Sequence, residues 1–326
     1  MATSSNPRQG AALLPAALTR CLLNMCVGLA LVAGKAGAMA QDSRQPASEA
    51  PPNNTNAATP LAAQAAPAVV TRLVSFSAMP SGMPVMGVYR RPARGAVKAA
   101  VVILHGSAGI DSRGPLHALD LARSGIATLE IDMWGARGLA GGTQRPARVH
   151  DTLGDLWGAL AWLGQQPQLD ARRLGVMGFS WGGVMAMLAS TQAHGTPPTG
   201  VPVPAAQLAF YPVCWGYNRV PGYDFQTLRD TRLLILAGGL DGYDDDPGAC
   251  PNLVAGLAET ERAKIKVHVY PEALHGFNML EPALRYPDAF AHRGRGGETG
   301  SVPDPAARED ARQRVTAFFA THLAAD

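Results

Sequence analysis

The sequence predicts an α/β fold, in which a mostly parallel, doubly wound sheet has helices on both faces and an antiparallel hairpin at its N-terminal side. The first observation is a series of short, nearly continuous apolar runs separated by segments with helical periodicity. Such runs are typical of parallel strands that are buried on both faces. The second observation is a pair of stretches with alternating polarity around a Ser-Gly turn, which indicates a hairpin.

The predicted hairpin strands span residues 70–78 and 83–90. The predicted parallel strands follow at 99–105, 126–132, 173–179, 206–212, 232–238 and 266–271. Segment 148–166 carries leucines and a tryptophan at helical spacing, which predicts an amphipathic helix. The last helix should begin at Asp304, because an N-cap aspartate followed by Pro305 at the first helical position is a common start signal.

Residues 1–40 have the features of a secretory signal, with arginines, an apolar core at 21–34 and an A-x-A site ending at Ala40. The apolar core is too short to span a bilayer comfortably, although an uncleaved anchor remains the alternative. Residues 41–68 are rich in Ala, Pro, Asn and Gln, which predicts a disordered linker. We therefore expect a globular domain at 69–326 in a periplasmic or secreted protein, without stable membrane insertion after cleavage.

The charge balance gives no support for nucleic-acid binding. The 326 residues include 28 Lys and Arg against 25 Asp and Glu, for a formal net charge of +3. Arg8, Arg20 and Lys35 lie in the predicted signal segment, so the basic and acidic residues of the rest of the chain balance. A nucleic-acid-binding domain would call for a clustered excess of basic residues.

Two cysteines, Cys214 and Cys250, remain after removal of the predicted signal segment. In an oxidising compartment two such cysteines indicate a disulfide, and the alternative is a pair of buried free thiols. The first follows a predicted strand and the second lies in the loop after the next strand. A bond between them would hold the second loop in position.

Ser180 lies in "GFSWGG", between a predicted strand and a helical segment. A G-x-S-x-G string in a strand-turn-helix setting indicates a nucleophile elbow, in which small residues permit a sharp turn around the serine. Gly178 and Gly182 would remove the Cβ atoms that collide in such a turn. The alternative is a glycine-rich turn without chemistry, which is common between strands and helices.

A serine hydroxyl needs a base, and the base needs a carboxylate that orients it. His275 is the best candidate base because "YPEALHGF" follows the last core strand, whereas the other histidines lie within a strand, on helices or in polar loops. Asp241 is the first acid after strand 232–238, and Asp244, Asp245 and Asp246 compete with it. The order serine, acid, histidine is that of the α/β-hydrolases.

Two backbone N–H groups should stabilise the oxyanion of a tetrahedral intermediate. One is the amide of Trp181, directly after the serine, and the other is the amide of Ser107 in "HGSAG", next to Gly106. We expect no metal and no cofactor, because no cluster of His, Cys and carboxylate has ligand spacing and no phosphate-binding glycine loop or dinucleotide fingerprint is present.

From about residue 70 to 324 the chain resembles the dienelactone hydrolase family of the α/β-hydrolase superfamily. The resemblance rests on "VVILHGSAGID", "IDMWGARG", "LDARRLGVMGFSWGG", "LLILAGGLDGYDD" and "YPEALHGF". It implies one compact α/β-hydrolase domain that hydrolyses esters or lactones without a cofactor. Ser180 stands where the best-known members have cysteine, and Gly106 stands where they have glutamate. Arg137 in "WGARG" resembles a family arginine that holds a substrate carboxylate, and the alternative is a structural arginine.

These features predict an exported serine hydrolase that cleaves small carboxylic esters or lactones through an acyl-enzyme on Ser180. Trp215 and the aromatic residues after it lie in a long loop, where they line an acyl pocket or simply pack the loop. The alternatives on the same residues are a peptidase or an acyltransferase. A binding protein that retains the fold without catalysis is the non-enzymatic alternative.

Overall fold

The computed structural model describes residues 68–324. The predicted signal segment, and the predicted linker apart from its last residue, lie outside the described residues. The strands are β1 Val69–Ser77, β2 Pro84–Pro92, β3 Ala100–Leu104, β4 Ala127–Asp132, β5 Leu174–Phe179, β6 Ala206–Phe210, β7 Arg232–Gly238, β8 Ile265–Tyr270, β9 Leu284–Asp288 and β10 Gly297–Ser301. The helices are α1 Arg113–Arg123, α2 Leu153–Gly164, α3 Trp181–Ser190, α4 Ala249–Ala255, α5 Glu259–Arg262, α6 Ala291–Gly294 and α7 Pro305–His322.

Eight strands form one sheet in the order β1-β2-β4-β3-β5-β6-β7-β8. The hairpin β1–β2 pairs antiparallel, and β2 joins β4 antiparallel. From β4 to β8 every neighbouring pair is parallel. The predicted parallel sheet with an N-terminal antiparallel hairpin is therefore confirmed.

Both faces of the central strands β3 to β7 are buried, as their continuous apolar runs require. Along β3, Val102 and Leu104 belong to one apolar cluster, and Val101 and Ile103 belong to another on the opposite face. Helices α2 and α3 supply the first cluster, while α1 and α7 supply the second. This doubly wound arrangement leaves the carboxyl ends of the parallel strands at one edge, where ligands bind in open α/β sheets.

The helix start predicted at Asp304 is present. The Asp304 carboxylate accepts hydrogen bonds from the N–H groups of Ala306 and Ala307, and Pro305 occupies the first helical position. Among residues 68–324, no helix combines the length and the apolarity that crossing a bilayer would require.

A second, two-stranded antiparallel sheet is formed by β9 and β10, which the sequence analysis did not predict. We call residues 284–301 the β9–β10 hairpin. Its return strand forms an isolated parallel bridge at Ser301 with His275, and the Val302 N–H donates to the His275 carbonyl at 3.0 Å. The hairpin is thereby attached to the loop that carries the predicted catalytic histidine.

Candidate active site

The loops after β3, β5, β6, β7 and β8 meet at the carboxyl edge of the sheet. Ser180 lies at the turn between β5 and α3 with φ 50° and ψ −107°, a strained conformation for a non-glycine residue. A Cβ on Gly178 would lie 2.0 Å from the Gly182 carbonyl oxygen, and one on Gly182 would lie 2.3 Å from the Leu104 carbonyl oxygen. The small residues around Ser180 thus allow the turn to pack against its neighbours.

The structure brings the side chains of Ser180, His275 and Asp241 into one line. His275 Nδ1 lies 2.7 Å from Asp241 Oδ2, and His275 Nε2 lies 2.9 Å from Ser180 Oγ. An ionised carboxylate only accepts, so Nδ1–H donates to Asp241 and the free Nε2 accepts the serine hydroxyl proton. This is the geometry in which an imidazole can take a proton from a nucleophilic hydroxyl.

His275 is held between two tyrosine rings and is almost fully buried. The ring centroids of Tyr211 and Tyr243 each lie 4.6 Å from that of His275. The backbone N–H of Tyr243 also donates to Asp241 Oδ1 at 2.9 Å, so both oxygens of the carboxylate are engaged. Packing and hydrogen bonds therefore fix the rotamers of the imidazole and the carboxylate together.

Tyr211 is itself anchored by polar partners that the sequence analysis did not identify. Its hydroxyl donates to Asn278 Oδ1 at 2.6 Å and accepts from Arg113 Nη1 at 2.8 Å, and Arg113 is paired with Asp111. Burial raises the pKa of the Tyr211 phenol above its ordinary value, so the hydroxyl stays neutral. Tyr211 has a positive backbone φ of 38°, which is unusual for a residue other than glycine. The sequence around Tyr211 contains no pattern from which this conformation or these partners could be predicted.

The predicted oxyanion donors, Ser107 and Trp181, both line the same cavity as Ser180. Trp181 is the first residue of α3, so its N–H has no acceptor within the helix. The loop before Ser107 is fixed by His105, whose Nδ1–H donates to the Gly106 carbonyl and whose Nε2 accepts from the Met133 N–H. Burial lowers the pKa of His105 to about 4, which keeps this ring neutral and structural.

A cavity of about 320 Å³ opens beside Ser180. Its lining is mainly apolar and aromatic. The valines and aromatic residues of the lining include Val149, Val184, Val213, Val220, Trp215, Tyr217, Tyr223, Tyr243 and Phe290. Trp215, for which the sequence left pocket lining and loop packing open, is among the residues that line this cavity. Mostly apolar concave sites with a few polar groups are typical of small-molecule binding, and this volume is near the lower end of their range.

The family model of the dienelactone hydrolase family matches residues 87–323. The chain belongs to the dienelactone hydrolase family. A search of the curated proteins found no significant match. Membership confirms the resemblance noted in the sequence and the expectation of an enzyme of the carboxylic ester hydrolase type.

Solved structures of similar proteins share the fold. A dienelactone hydrolase from Anabaena variabilis is 18% identical, with a TM-score of 0.53, over 78% of this chain and 99% of that chain. A dienelactone hydrolase-like promiscuous phosphotriesterase from metagenomic libraries is 19% identical, with a TM-score of 0.53, over 78% and 99%. Esterase 2 of Thermogutta terrifontis, phosphorylated by paraoxon, is 14% identical, with a TM-score of 0.57, over 77% and 94%. The α/β-hydrolase fold is thereby confirmed.

Arg137 does not line the cavity of this dienelactone hydrolase family member. Its guanidinium pairs with the fully buried Asp155 of α2, with Nη1–Oδ2 at 2.6 Å and Nη2–Oδ1 at 3.0 Å, and Nη1 also donates to the Met133 carbonyl. The donors face the protein interior rather than a ligand. We therefore keep the structural interpretation of Arg137 and drop its expected contact with a substrate carboxylate.

The arginine that does reach the cavity is Arg145, which the sequence analysis missed. Its Nη2 donates to both oxygens of Asp288 at 3.0 Å, and its Nη1 donates to the Gly142 carbonyl at 2.7 Å. Asp288 lies at the end of β9, so this pair joins the β9–β10 hairpin to the loop after β4. No local pattern could reveal the pair, because its partners are 143 residues apart in the chain.

Cys214 and Cys250 form a disulfide that joins the turn after β6 to α4. Beside it, the buried Asp244 carboxylate accepts the N–H groups of Cys214 and Trp215. Burial, followed by the nearby Asp241, raises the pKa of Asp244 to about 7. Cys214, Cys250 and Asp244 are the one group of three potential metal ligands found close together in residues 68–324. Both cysteine sulfurs are bonded to each other in the disulfide, so they are not available as thiolate ligands.

Proposed function

We propose that this dienelactone hydrolase family member is an exported serine esterase that cleaves small carboxylic esters or lactones through an acyl-enzyme on Ser180. The observation that carries the proposal is the line from Ser180 Oγ through His275 to Asp241 at the opening of an apolar cavity. The disulfide and the predicted signal segment support export, because such bonds persist in oxidising compartments.

In the proposed reaction, Ser180 Oγ attacks the ester carbonyl carbon while its proton passes to His275 Nε2. The Asp241 carboxylate stabilises the imidazolium, and the amides of Ser107 and Trp181 donate to the oxyanion. His275 then returns the proton to the departing alcohol, which leaves the acyl group on Ser180. Water then attacks the acyl carbon while His275 Nε2 takes its proton, and His275 passes this proton to the departing Ser180 Oγ, which releases the acid and restores the serine hydroxyl.

The test is a series of p-nitrophenyl esters of increasing acyl length, with the native protein and Ser180→Ala. We expect kcat to fall by at least about 10⁵-fold in the variant, because the nucleophile is lost. Ser124→Ala, at the exposed C-cap of α1, is the matched control for a serine-to-alanine change away from the site. Equal turnover by the native protein and Ser180→Ala would contradict the assignment of the nucleophile.

Covalent labelling gives an independent measurement. Esterase 2 of Thermogutta terrifontis, a structural neighbour, is phosphorylated by paraoxon. We expect paraoxon to add one diethylphosphoryl group to the native protein and none to Ser180→Ala in intact-mass spectra. Labelling that persists in the variant would place the reactive nucleophile elsewhere.

A further inference from the structure

The charges inside the cavity are the starting point. Of the side chains in residues 68–324 that line it, those of Arg145 and Asp288 are the charged ones. An arginine at this place could attract a substrate carboxylate, since guanidinium groups bind carboxylates with two parallel hydrogen bonds. In this protein the charge of the guanidinium is already paired, because Nη2 donates to both oxygens of Asp288 while Nη1 donates to the Gly142 carbonyl.

Asp288 is held in this role by further donors. The Tyr243 hydroxyl donates to Oδ2 at 2.9 Å, and the Phe290 N–H donates to Oδ1 at 2.9 Å. Burial acts to raise the pKa of Asp288, but the hydrogen bonds from Phe290 and Arg145 outweigh it and hold the pKa below its ordinary value. The side chains of Arg145 and Asp288 are 12% and 5% exposed. The pair is therefore an internal, neutral unit of the cavity wall.

The rest of the wall offers no counter-charge to an anion. Four valines and several aromatic rings make up most of it, and Arg145 also packs over the rings of Trp181 and Phe290. A carboxylate that entered this space would lose its hydration without gaining a free cation, which is strongly unfavourable. An uncharged acyl chain would instead gain from the removal of apolar surface from water.

We propose that Asp288 is a specificity-determining residue that, by occupying Arg145, restricts this site to esters with an uncharged, apolar acyl group. The inference rests on the proposed esterase function and names its substrate class. Ser107 and Trp181, whose amides would bind the carbonyl oxygen, line the cavity beside Ser180, and we place the acyl group of the substrate in this cavity. Loss of the Asp288 charge would leave the charge of Arg145 uncompensated and able to attract an acyl group that ends in a carboxylate.

The experiment compares three p-nitrophenyl esters of similar length: the pentanoate, the hydrogen glutarate and the methyl glutarate. The hydrogen glutarate has a carboxylate where the pentanoate has a methyl group, and the methyl glutarate is polar but uncharged. For the native protein we expect kcat/KM for the pentanoate to exceed that for the hydrogen glutarate by at least about 100-fold. Background hydrolysis is measured with Ser180→Ala and subtracted.

In Asp288→Asn we expect this preference to fall by at least about tenfold, because the carboxylate then meets a guanidinium whose charge is no longer neutralised. The methyl glutarate should keep its rate relative to the pentanoate, since neither ester is charged. Asp170→Asn is the matched control, because Asp170 pairs with Arg172 on the surface and lies outside the cavity. A structural defect alone would lower all three rates together, and such a result with an unchanged preference would overturn the proposal.

The native protein alone also tests the proposal, even if Asp288→Asn does not fold. Comparable turnover of the pentanoate and the hydrogen glutarate by the native protein would overturn the proposed restriction while leaving the esterase function intact. The absence of turnover for every ester would instead contradict the proposed function itself. A strong preference for the pentanoate over the hydrogen glutarate, with the methyl glutarate close to the pentanoate, supports the restriction by charge.

Discussion

Reduction of the disulfide between Cys214 and Cys250 is expected to lower the free energy of unfolding by about 4 kcal/mol. The estimate follows from the sequence separation of 36 residues, because closing a loop of that length restricts the unfolded chain. Both cysteines are buried, so reduction leaves the side-chain volumes in the core while removing the cross-link. Substitution to alanine would add a packing loss to this entropic effect.

The assay is guanidinium unfolding of the oxidised and the reduced protein, followed by tryptophan fluorescence. The midpoint should fall in the reduced protein, and the slope should rise slightly, because an uncrosslinked chain exposes more surface when it unfolds. For a domain of this size a loss of 4 kcal/mol corresponds to a decrease in Tm of about 8–16 °C.

The same bond is expected to support the loop that carries Asp241. Asp244 accepts the N–H groups of Cys214 and Trp215, so the turn after β6 and the acidic loop are joined by hydrogen bonds as well as by the disulfide. Ester turnover by the reduced protein should therefore decrease without being abolished. Identical midpoints and identical turnover before and after reduction would refute both the entropic estimate and the positioning role.

Three further outcomes are expected. Asp241→Asn should lower kcat in ester assays by about 10⁴-fold with little change in KM, because an amide that donates to Nδ1 leaves the proton of His275 on Nε2, so that Nε2 cannot accept the serine proton. An unchanged kcat would exclude Asp241 as the orienting acid. Gly178→Ala should cost at least about 3 kcal/mol in urea unfolding, since its Cβ would lie 2.0 Å from a carbonyl oxygen, whereas Gly256→Ala, with its nearest atoms at 3.5 Å, should be nearly neutral. Burial lowers the pKa of His117 from 6.5 to about 4, so the unfolded chain binds a proton at this residue before the folded protein does. The free energy of unfolding should therefore fall by about 3 kcal/mol as the pH decreases from 6.5 to 4. His117→Gln should remove that part of the pH dependence in urea unfolding, and an unaltered slope between pH 4 and 6.5 would contradict it.

The strands of the large sheet could be predicted from the sequence to within two residues at each end. The residues of the central strands β3 to β7 are buried on both faces, so that burial alone imposes a continuous apolar run with glycine or polar residues at its ends. The choice of Ser180, Asp241 and His275 as candidates followed from the same pattern, because each lies at most four residues beyond the end of a predicted strand. Parallel strands bring such positions to one edge whatever their separation in the chain.

The β9–β10 hairpin could not be predicted in this way. Its strands are mostly exposed and contain proline and glycine, so they carry neither an apolar run nor a clear alternation. The glycine- and arginine-rich segment 293–297 connects the two strands and carries no apolar residue. In the structure Arg293 pairs with Asp246, Arg295 pairs with Asp245, and Gly294 lines the cavity. Contacts between distant parts of the chain, rather than local propensity, hold the hairpin in place.

The two arginines show why a local motif did not identify the cavity cation. Arg137 lies in a glycine-rich turn that resembles a family motif, but Asp155 of α2 binds its guanidinium away from the cavity. Arg145 lies in a segment without such a motif, and its position depends on Asp288. The role of an arginine is decided by the carboxylate that reaches it, and that carboxylate is fixed only when the chain has folded.

Tyr243 links the two parts of the site that these predictions test. Its N–H orients Asp241, its ring packs on His275, and its hydroxyl donates to Asp288. The carboxylate that would orient the catalytic base and the carboxylate that neutralises the cavity are thus held by one residue. A buried carboxylate is costly unless its oxygens accept hydrogen bonds, so Asp288 favours the position of Tyr243 in which the tyrosine hydroxyl donates to it. In this same position the N–H of Tyr243 donates to Asp241. The proposed selectivity of the cavity for uncharged groups and the proposed alignment of the proton relay therefore depend on one local geometry.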